Sequence, residues 1–497
     1  MFKNFPGYKV LEKIQKNKSH KRERKLPLNA IKLIFIVAIT AVIALLPTES
    51  FGIEGLTVIH QRIISLFVFA ALMWLTEAMP SWVTSMIVVT VMLLTVSTSA
   101  FNFLRPENGA GLVPFKSIMA CFSNPTIMLF IGGFVLAIGL TKVKLDVALA
   151  RVLLKPFGTR SEIVLLGFIL VTAIFSAFVS NTATAAMMLA FLTPVLRSLP
   201  ADGKGRVALA LAIPVGANLG GMITPIGTPP NMIALDYLSS QDMGISFVDW
   251  TIKMAPFVIV LLLFAWLLLR FLFPFKQKHI KIEIEGDIKW NRHTWAVVIA
   301  FIVTIFMWMF GTDLWGVDTN VVAMIPIAIF CATGILTRRD LEEINWSVLW
   351  MVAGGFALGV ALNYKDANSV SLSSLIVESV PFDNFSPLVV MILAGLICFG
   401  FSNFISHSAA TSLLVPVLGV VAGGLGESLA AYGGAQAMLV GIAIASSVSM
   451  ILPISTPPNA IAHSTGFIEQ KDMMKVGIII GLMGLALGYA MLIFIGF

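Results

Sequence analysis

The sequence predicts an all-α polytopic membrane protein. It reads as about eleven transmembrane helices plus two re-entrant helical hairpins in an inverted repeat, with two helices broken at Thr-Pro-Pro-Asn. Three observations predict this. Apolar residues make up 58% of the chain and charged residues 12%, about half the share usual in a soluble domain, and the mean hydropathy is +0.93. A pair of polar, helix-breaking phrases occurs twice, once in each half. Lysine and arginine concentrate in alternate connecting segments, as the positive-inside rule requires. The formal net charge of +7 follows from that concentration and gives no reason to invoke nucleic acid.

In chain order, residues 1–29 are polar and carry Lys16, Lys18, Lys21, Arg22, Arg24 and Lys25 close together, which reads as a cytoplasmic tail. Residues 30–161 hold spans at about 30–47, 62–79, 82–100 and 126–142, then an amphipathic piece through Arg151 and Lys155 that suits the interface. Residues 162–273 hold two short apolar halves, 162–179 and 183–197, read as a hairpin with Ser180-Asn181-Thr182 at its tip. A helix broken between 207–223 and 231–238 and a span at about 252–273 complete that segment. Residues 274–293 are the one long polar stretch inside the chain and read as a cytoplasmic linker. Residues 294–384 hold spans at about 294–310, 319–336 and 347–363. Residues 385–497 repeat the hairpin (386–404 and 408–422), the broken helix (436–452 and 458–466) and a last span, about 475–496. With the N-terminus inside, the basic loops place the two halves in opposite orientation across a lipid bilayer. A cell (inner) membrane location is expected.

The two phrases carry the chemistry. Ser180-Asn181-Thr182 is echoed by Ser406-His407-Ser408, and Thr224-Pro225-Ile226-Gly227-Thr228-Pro229-Pro230-Asn231 by Leu452-Pro453-Ile454-Ser455-Thr456-Pro457-Pro458-Asn459. Ser176 recurs as Ser402; the spacing from Ser180 to Thr228 (228 − 180 = 48) recurs from Ser406 to Thr456 (456 − 406 = 50). A second register would pair Ser180-Asn181 with Ser402-Asn403, at the cost of the match around the phrases. Proline lacks a donor N–H and interrupts a helix. In lipid such backbone survives only where it is buried in protein or lines a wet cavity. Broken helices in corresponding halves mark the binding site of a secondary transporter.

A hairpin tip exposes the N-terminus of its returning helix, whose free N–H groups and dipole attract anions. Ser180, Asn181 and Thr182 add neutral donors, and neither phrase holds lysine or arginine. Sodium wants oxygen ligands. Ser176 and Ser180 fall on one helix face, and the Asn181 oxygen with a freed carbonyl near Gly227 completes a shell. The alternative is that these serines only cap the helices. His407 stands where an asparagine oxygen is expected, either as a fixed cation or as a neutral donor. Glu77, near a span end, is a lesser candidate. The cysteines Cys121, Cys331 and Cys398 lack metal-ligand spacing and read as small buried residues. No nucleophile–base pair points to an enzyme.

These phrases resemble the divalent anion/sodium symporter family, the INDY or SLC13-type di- and tricarboxylate transporters, from about residue 30 to the end. The resemblance implies a homodimer of eleven-span protomers. Residues 30–161 and 294–384 would be scaffold, and 162–273 and 385–497 a transport domain that moves as an elevator. It implies di- or tricarboxylate substrates such as succinate, malate, 2-oxoglutarate or citrate, or sulfate in some branches. Ser180, Asn181 and Thr182 would touch one carboxylate, with Thr228, Ser406, His407, Ser408, Thr456 and Pro457 framing the rest. A first Na+ site would use Ser176, Ser180, Asn181 and the Gly227 carbonyl, and a second Ser402, Ile405 and Ser455. The Ser-His-Ser departure leaves sodium symport and carboxylate exchange both open. A sodium/proton antiporter or inorganic-anion permease of related architecture is the rival class, although both breaks are neutral.

Overall fold

The computed structural model describes residues 26–107, 109–200, 203–280, 290–366 and 369–497. The basic tail up to residue 25 and the centre of the linker, 281–289, lie outside them. The chain is helical nearly throughout, and among the described residues the only β-type pairings are isolated bridges.

The first part runs α1 (Leu26–Leu45), α2 (Val58–Thr76), α3 (Ser81–Thr95), the short α4 (Phe115–Ala120), α5 (Pro125–Lys142) and the amphipathic α6 (Leu145–Leu154). Then come the pair α7 (Ser161–Phe178) and α8 (Asn181–Ser198), the pair α9 (Lys204–Gly220) and α10 (Pro229–Ser240), and α11 (Phe247–Leu272). After the linker follow α12 (Arg292–Trp315), α13 (Thr319–Val322), α14 (Met324–Ala332), α15 (Arg338–Glu342), α16 (Trp346–Asn363) and α17 (Leu372–Ser379). The second pairs are α18 (Pro387–Ser402) with α19 (His407–Leu425) and α20 (Gly434–Ser447) with α21 (Pro457–Ser464), before α22 (Gln470–Phe494). Eight described helices are long and apolar enough to cross a membrane, and five shorter apolar helices accompany them. Two details differ from the sequence reading. The span expected at 319–336 is split at Ala323 into α13 and α14. Cys331 is exposed on the outside of α14, where lipid rather than protein would cover it, whereas Cys121 and Cys398 are buried.

The packing is reciprocal between repeats. α7 packs on α9, and the outgoing and returning helices of the second repeat, α18 and α19, both pack on α20. Each post-break helix crosses over: α21 packs on α8 and α9, and α10 on α19 and α20. The close α7–α9 contact depends on Gly220, where a Cβ would run into the Ala173 backbone. α3 lies on α16, and the Ser85 hydroxyl donates to the Met351 carbonyl at 3.1 Å. Lys142 at the end of α5 pairs with Asp340 of α15 at 2.5 Å and also donates to the Ile335 carbonyl. Burial works against the Asp340 carboxylate, but the bonds from Lys142 and Thr337 outweigh it and hold its pKa below the ordinary value. That pair fixes one end of the bundle, where Lys144, Arg338 and Arg339 also lie.

The α7–α9 contact predicts an asymmetric glycine response. Gly220→Ala overpacks a backbone contact and should cost about 1–3 kcal/mol, seen as a lower Tm of the detergent-solubilised protein. Gly400→Ala, which meets open space on α18, should leave Tm unchanged or raise it slightly.

Candidate functional site

Both helix pairs turn at the residues where the sequence placed the tips. Ser180 is the N-cap of α8 and Ser406 the N-cap of α19, which supports the preferred register. Asn403 instead closes the outgoing α18. The two helix breaks begin earlier than the prolines, at Gly220 and Ser447, because the chain leaves helical geometry several residues before each proline.

The carbonyls and amides freed there are bound by asparagines, Asn231 and Asn459 of the same phrases and two from outside them. Asn231 Nδ2 donates to the Gly221 and Thr224 carbonyls at 3.1 and 2.9 Å. Asn459 Nδ2 donates to the Met450 and Leu452 carbonyls at 2.8 and 3.1 Å. The Ile451 amide donates to Asn403 Oδ1 at 2.8 Å. Asn218, buried in α9, reaches across the repeats, its Nδ2 donating to Asn459 Oδ1 at 3.0 Å and Thr456 Oγ1 at 3.2 Å. These asparagines were not singled out from sequence. The final Asn of each Thr-Pro-Pro-Asn was the available signal, since a buried side chain that can donate twice is what an interrupted helix needs.

A cavity of about 470 Å³ lies where the four phrases meet. Ser180, Asn181 and Thr182 line it from the first tip, Ser406, His407 and Ser408 from the second. Gly227 and Thr228 reach it from the first break, and Ser455, Thr456 and Pro457 from the second. Its opposite wall is α5 with the starts of α3 and α16, where the exposed Asn345 and Ser347 mark its mouth. Among the described residues no acidic or basic side chain other than His407 lines it. The N-termini of α8, α10, α19 and α21 all converge on it, which makes it electropositive without a formal charge.

The repeats differ in what they leave open. At the second tip the Ala409 amide donates to Ser406 Oγ at 3.3 Å, while Ser180 makes no such cap on α8. At the second break Thr456 Oγ1 accepts the Asn459 amide at 3.2 Å, while Thr228 makes no side-chain cap on α10. The simple capping alternative thus describes Ser406 and not Ser180. First-turn amides of α8 and the Thr228 hydroxyl are left for something in the cavity.

The residues expected to hold cations are partly gathered. Ser176, fully buried behind Asn181, has its Oγ 2.6 Å from Asn181 Oδ1 and 2.7 Å from the Ala217 carbonyl. A Cβ on Gly221 would lie 2.6 Å from Asn181 Oδ1, and one on Gly227 would overlap the Gly221 carbonyl, so Asn181, Gly221 and Gly227 stack closely. In the second repeat, Ser402 Oγ donates to Ser446 Oγ at 3.2 Å and lies outside the cavity lining. Ile405 is buried and also outside the lining, while Ser455 lines the cavity with its hydroxyl donated to the Leu452 carbonyl at 2.7 Å. His407 Nε2 sits 2.6 Å from the Ser449 carbonyl. A carbonyl only accepts, so Nε2 carries a proton and donates it to that carbonyl. Ser449 corresponds to Gly221 (449 − 221 = 228, as for 456 − 228), whose carbonyl instead accepts from Asn231 Nδ2 at 3.1 Å. Glu77 ends α2 in the left-handed conformation, φ 47°, away from the cavity lining.

Helical repeats enclosing a neutral, dipole-lined cavity define a membrane transporter rather than an enzyme. Comparison with known proteins agrees. The citrate transporter family model matches residues 71–440, and the chain belongs to that family. An uncharacterized transporter of Haemophilus influenzae is 30% identical over 91% of this chain and 94% of its own. The sodium-dependent dicarboxylate transporter SdcS of Staphylococcus saprophyticus is 28% identical over 85% of this chain and 83% of its own. The fold is similar to that of the Alcanivorax borkumensis YdaH transporter, with a TM-score of 0.55 at 13% identity, over 86% of this chain and 97% of that one.

Replacing Asn459 with leucine of similar size should orphan the Met450 and Leu452 carbonyls and the Asn218 amide. Each buried orphan costs about 1–3 kcal/mol, so thermal unfolding should show a clear loss of stability. Thr228→Val, which removes an uncapped hydroxyl, should leave Tm near the parent value.

Proposed function

We propose that this protein carries small dicarboxylates across the membrane and couples them to sodium at a single site beside the first hairpin. The observation that carries this reading is the uncharged cavity, with the first-turn amides of α8 left uncapped. A dianion there meets helix N-termini and neutral donors, Ser180, Asn181, Thr182 and Thr228 on one side and Ser406, Ser408, Thr456 and Pro457 on the other. A cavity of about 470 Å³ accommodates a molecule of the size of succinate or citrate.

The sodium ion would sit among Ser176, Ser180, Asn181 and the Gly227 carbonyl. Ser176 has one proton and two oxygen neighbours, so one of its close contacts is free for a cation. The second site is read differently. His407 satisfies the Ser449 carbonyl, and Ser402 and Ser455 donate within the protein. His407 therefore stands in for a second ion. One sodium with one dicarboxylate dianion moves net negative charge, so a potential negative inside the receiving compartment opposes uptake. In this reading the protomer has a scaffold (30–161 and 294–384) and a transport unit (162–273 and 385–497) that moves as an elevator within a homodimer. The mouth lies with the basic loop ends, which the positive-inside rule puts in the cytoplasm.

The test is uptake of labelled succinate into proteoliposomes, with and without an inward sodium gradient, into empty and succinate-loaded vesicles. Sodium-dependent uptake into empty vesicles, slowed by an inside-negative potential, is expected. Uptake confined to loaded vesicles and indifferent to sodium would make the protein an exchanger. Activity only with sulfate or phosphate would favour an inorganic-anion permease. Two variants follow. Ser180→Ala should weaken apparent succinate affinity by about tenfold, the loss of one hydrogen bond to a charged group. His407→Asn should add a second sodium per cycle, read as a steeper sodium dependence and loss of the voltage effect.

A further inference from the structure

On the far side of the bundle from the mouth, a second and larger cleft of about 620 Å³ separates α10 from α5 and α13. A third cavity, about 340 Å³, separates α10 and α19 from α16. Asp236 of α10 borders both. Its Oδ1 accepts the Thr126 hydroxyl at 2.7 Å, and the Asn124 side chain lies against the same carboxylate. Asn124 is the N-cap of α5, so the carboxylate sits at that helix's positive end. Among the described residues no lysine or arginine lines either space, and the other acidic residue in the larger one is Asp318. The next residue, Tyr237, meets Asn363 at the end of α16. Elsewhere this interface is smooth: Gly355 of α16 lies under Ser412 of α19, whose buried hydroxyl has no partner.

We infer that Asp236 is a positioning residue for transport, the latch that holds α10 against the N-terminus of α5 while the substrate cavity faces the mouth. The inference rests on the two-unit reading above. Asp236 lies eight residues beyond Thr228 on the helix that begins at the site, so displacement of that helix moves both together. A carboxylate with neutral donors at a helix N-terminus is held firmly, but it has no ion-pair partner to follow it. The open space on either side lets the contact break without repacking a core. When the unit shifts, Asp236 leaves α5, and the equilibrium between the two facings is set by how strongly Thr126 and Asn124 hold it.

The test uses a reporter cysteine at Ser347, exposed at the mouth, in a Cys331→Ser background with the buried Cys121 and Cys398 left in place. A membrane-impermeant maleimide is applied from the mouth side to the full-length protein in vesicles. Asp236→Asn should slow labelling about tenfold, the loss of a charge-assisted bond from one facing. Thr126→Val, which removes the donor and keeps the carboxylate, should slow it in the same direction, and the double variant should add little to either. Labelling unchanged in both single variants, while sodium and succinate still alter it in the parent, overturns the latch alone. Labelling that sodium and succinate do not alter in the parent overturns the two-unit reading, and the latch with it.

Discussion

The structure depends on one constraint: backbone polar groups freed inside an apolar bundle must be satisfied from within, because lipid offers them nothing. Two helices break and two helix pairs turn around one cavity, and their loose ends meet there. Asn231 and Asn459 each tie two freed carbonyls, Asn403 takes the Ile451 amide, and Asn218 joins the repeats. Once these bonds are made, the groups left open define the cavity. The satisfaction is incomplete on one side, at Ser180 and Thr228.

The incompleteness follows the repeat. In the second copy Ser406 and Thr456 cap their own helices and His407 closes on the Ser449 carbonyl. In the first copy Ser180 and Thr228 do neither. Both copies of the duplicated phrases line the cavity, but one closes its own helix caps and the other leaves them open. The imidazole of His407 holds the Ser449 carbonyl, whereas the corresponding Gly221 carbonyl is held by Asn231 of its own phrase.

Much of this was legible in the chain. Apolar runs separated by Gly, Pro and Ser placed nearly every helix within a few residues, since only an unbroken helix crosses lipid with its backbone satisfied. The paired phrases put Ser180, Asn181, Thr228, Ser406, His407 and Thr456 around one cavity before any coordinates. What was not legible depends on distance between remote segments. Asn218 makes its bonds to residues about 240 positions away. The early start of each break is set by which carbonyls an asparagine can reach. Ser402 and Ile405, matched by phrase, fall behind the lining, as Ser176 does in the first repeat. Asp236 carried no motif at all and shows itself only by what lies beside it.

The measurement that bears most directly on the central claim is a structure of the purified protein in membrane mimetic with saturating succinate and sodium. The account predicts density for a carboxylate within hydrogen-bond distance of the Asn181 and Thr182 amides at the start of α8, and an ion between Ser176 and Asn181. Succinate density in the cleft beside Asp236, or a cavity still empty at saturation, would contradict it.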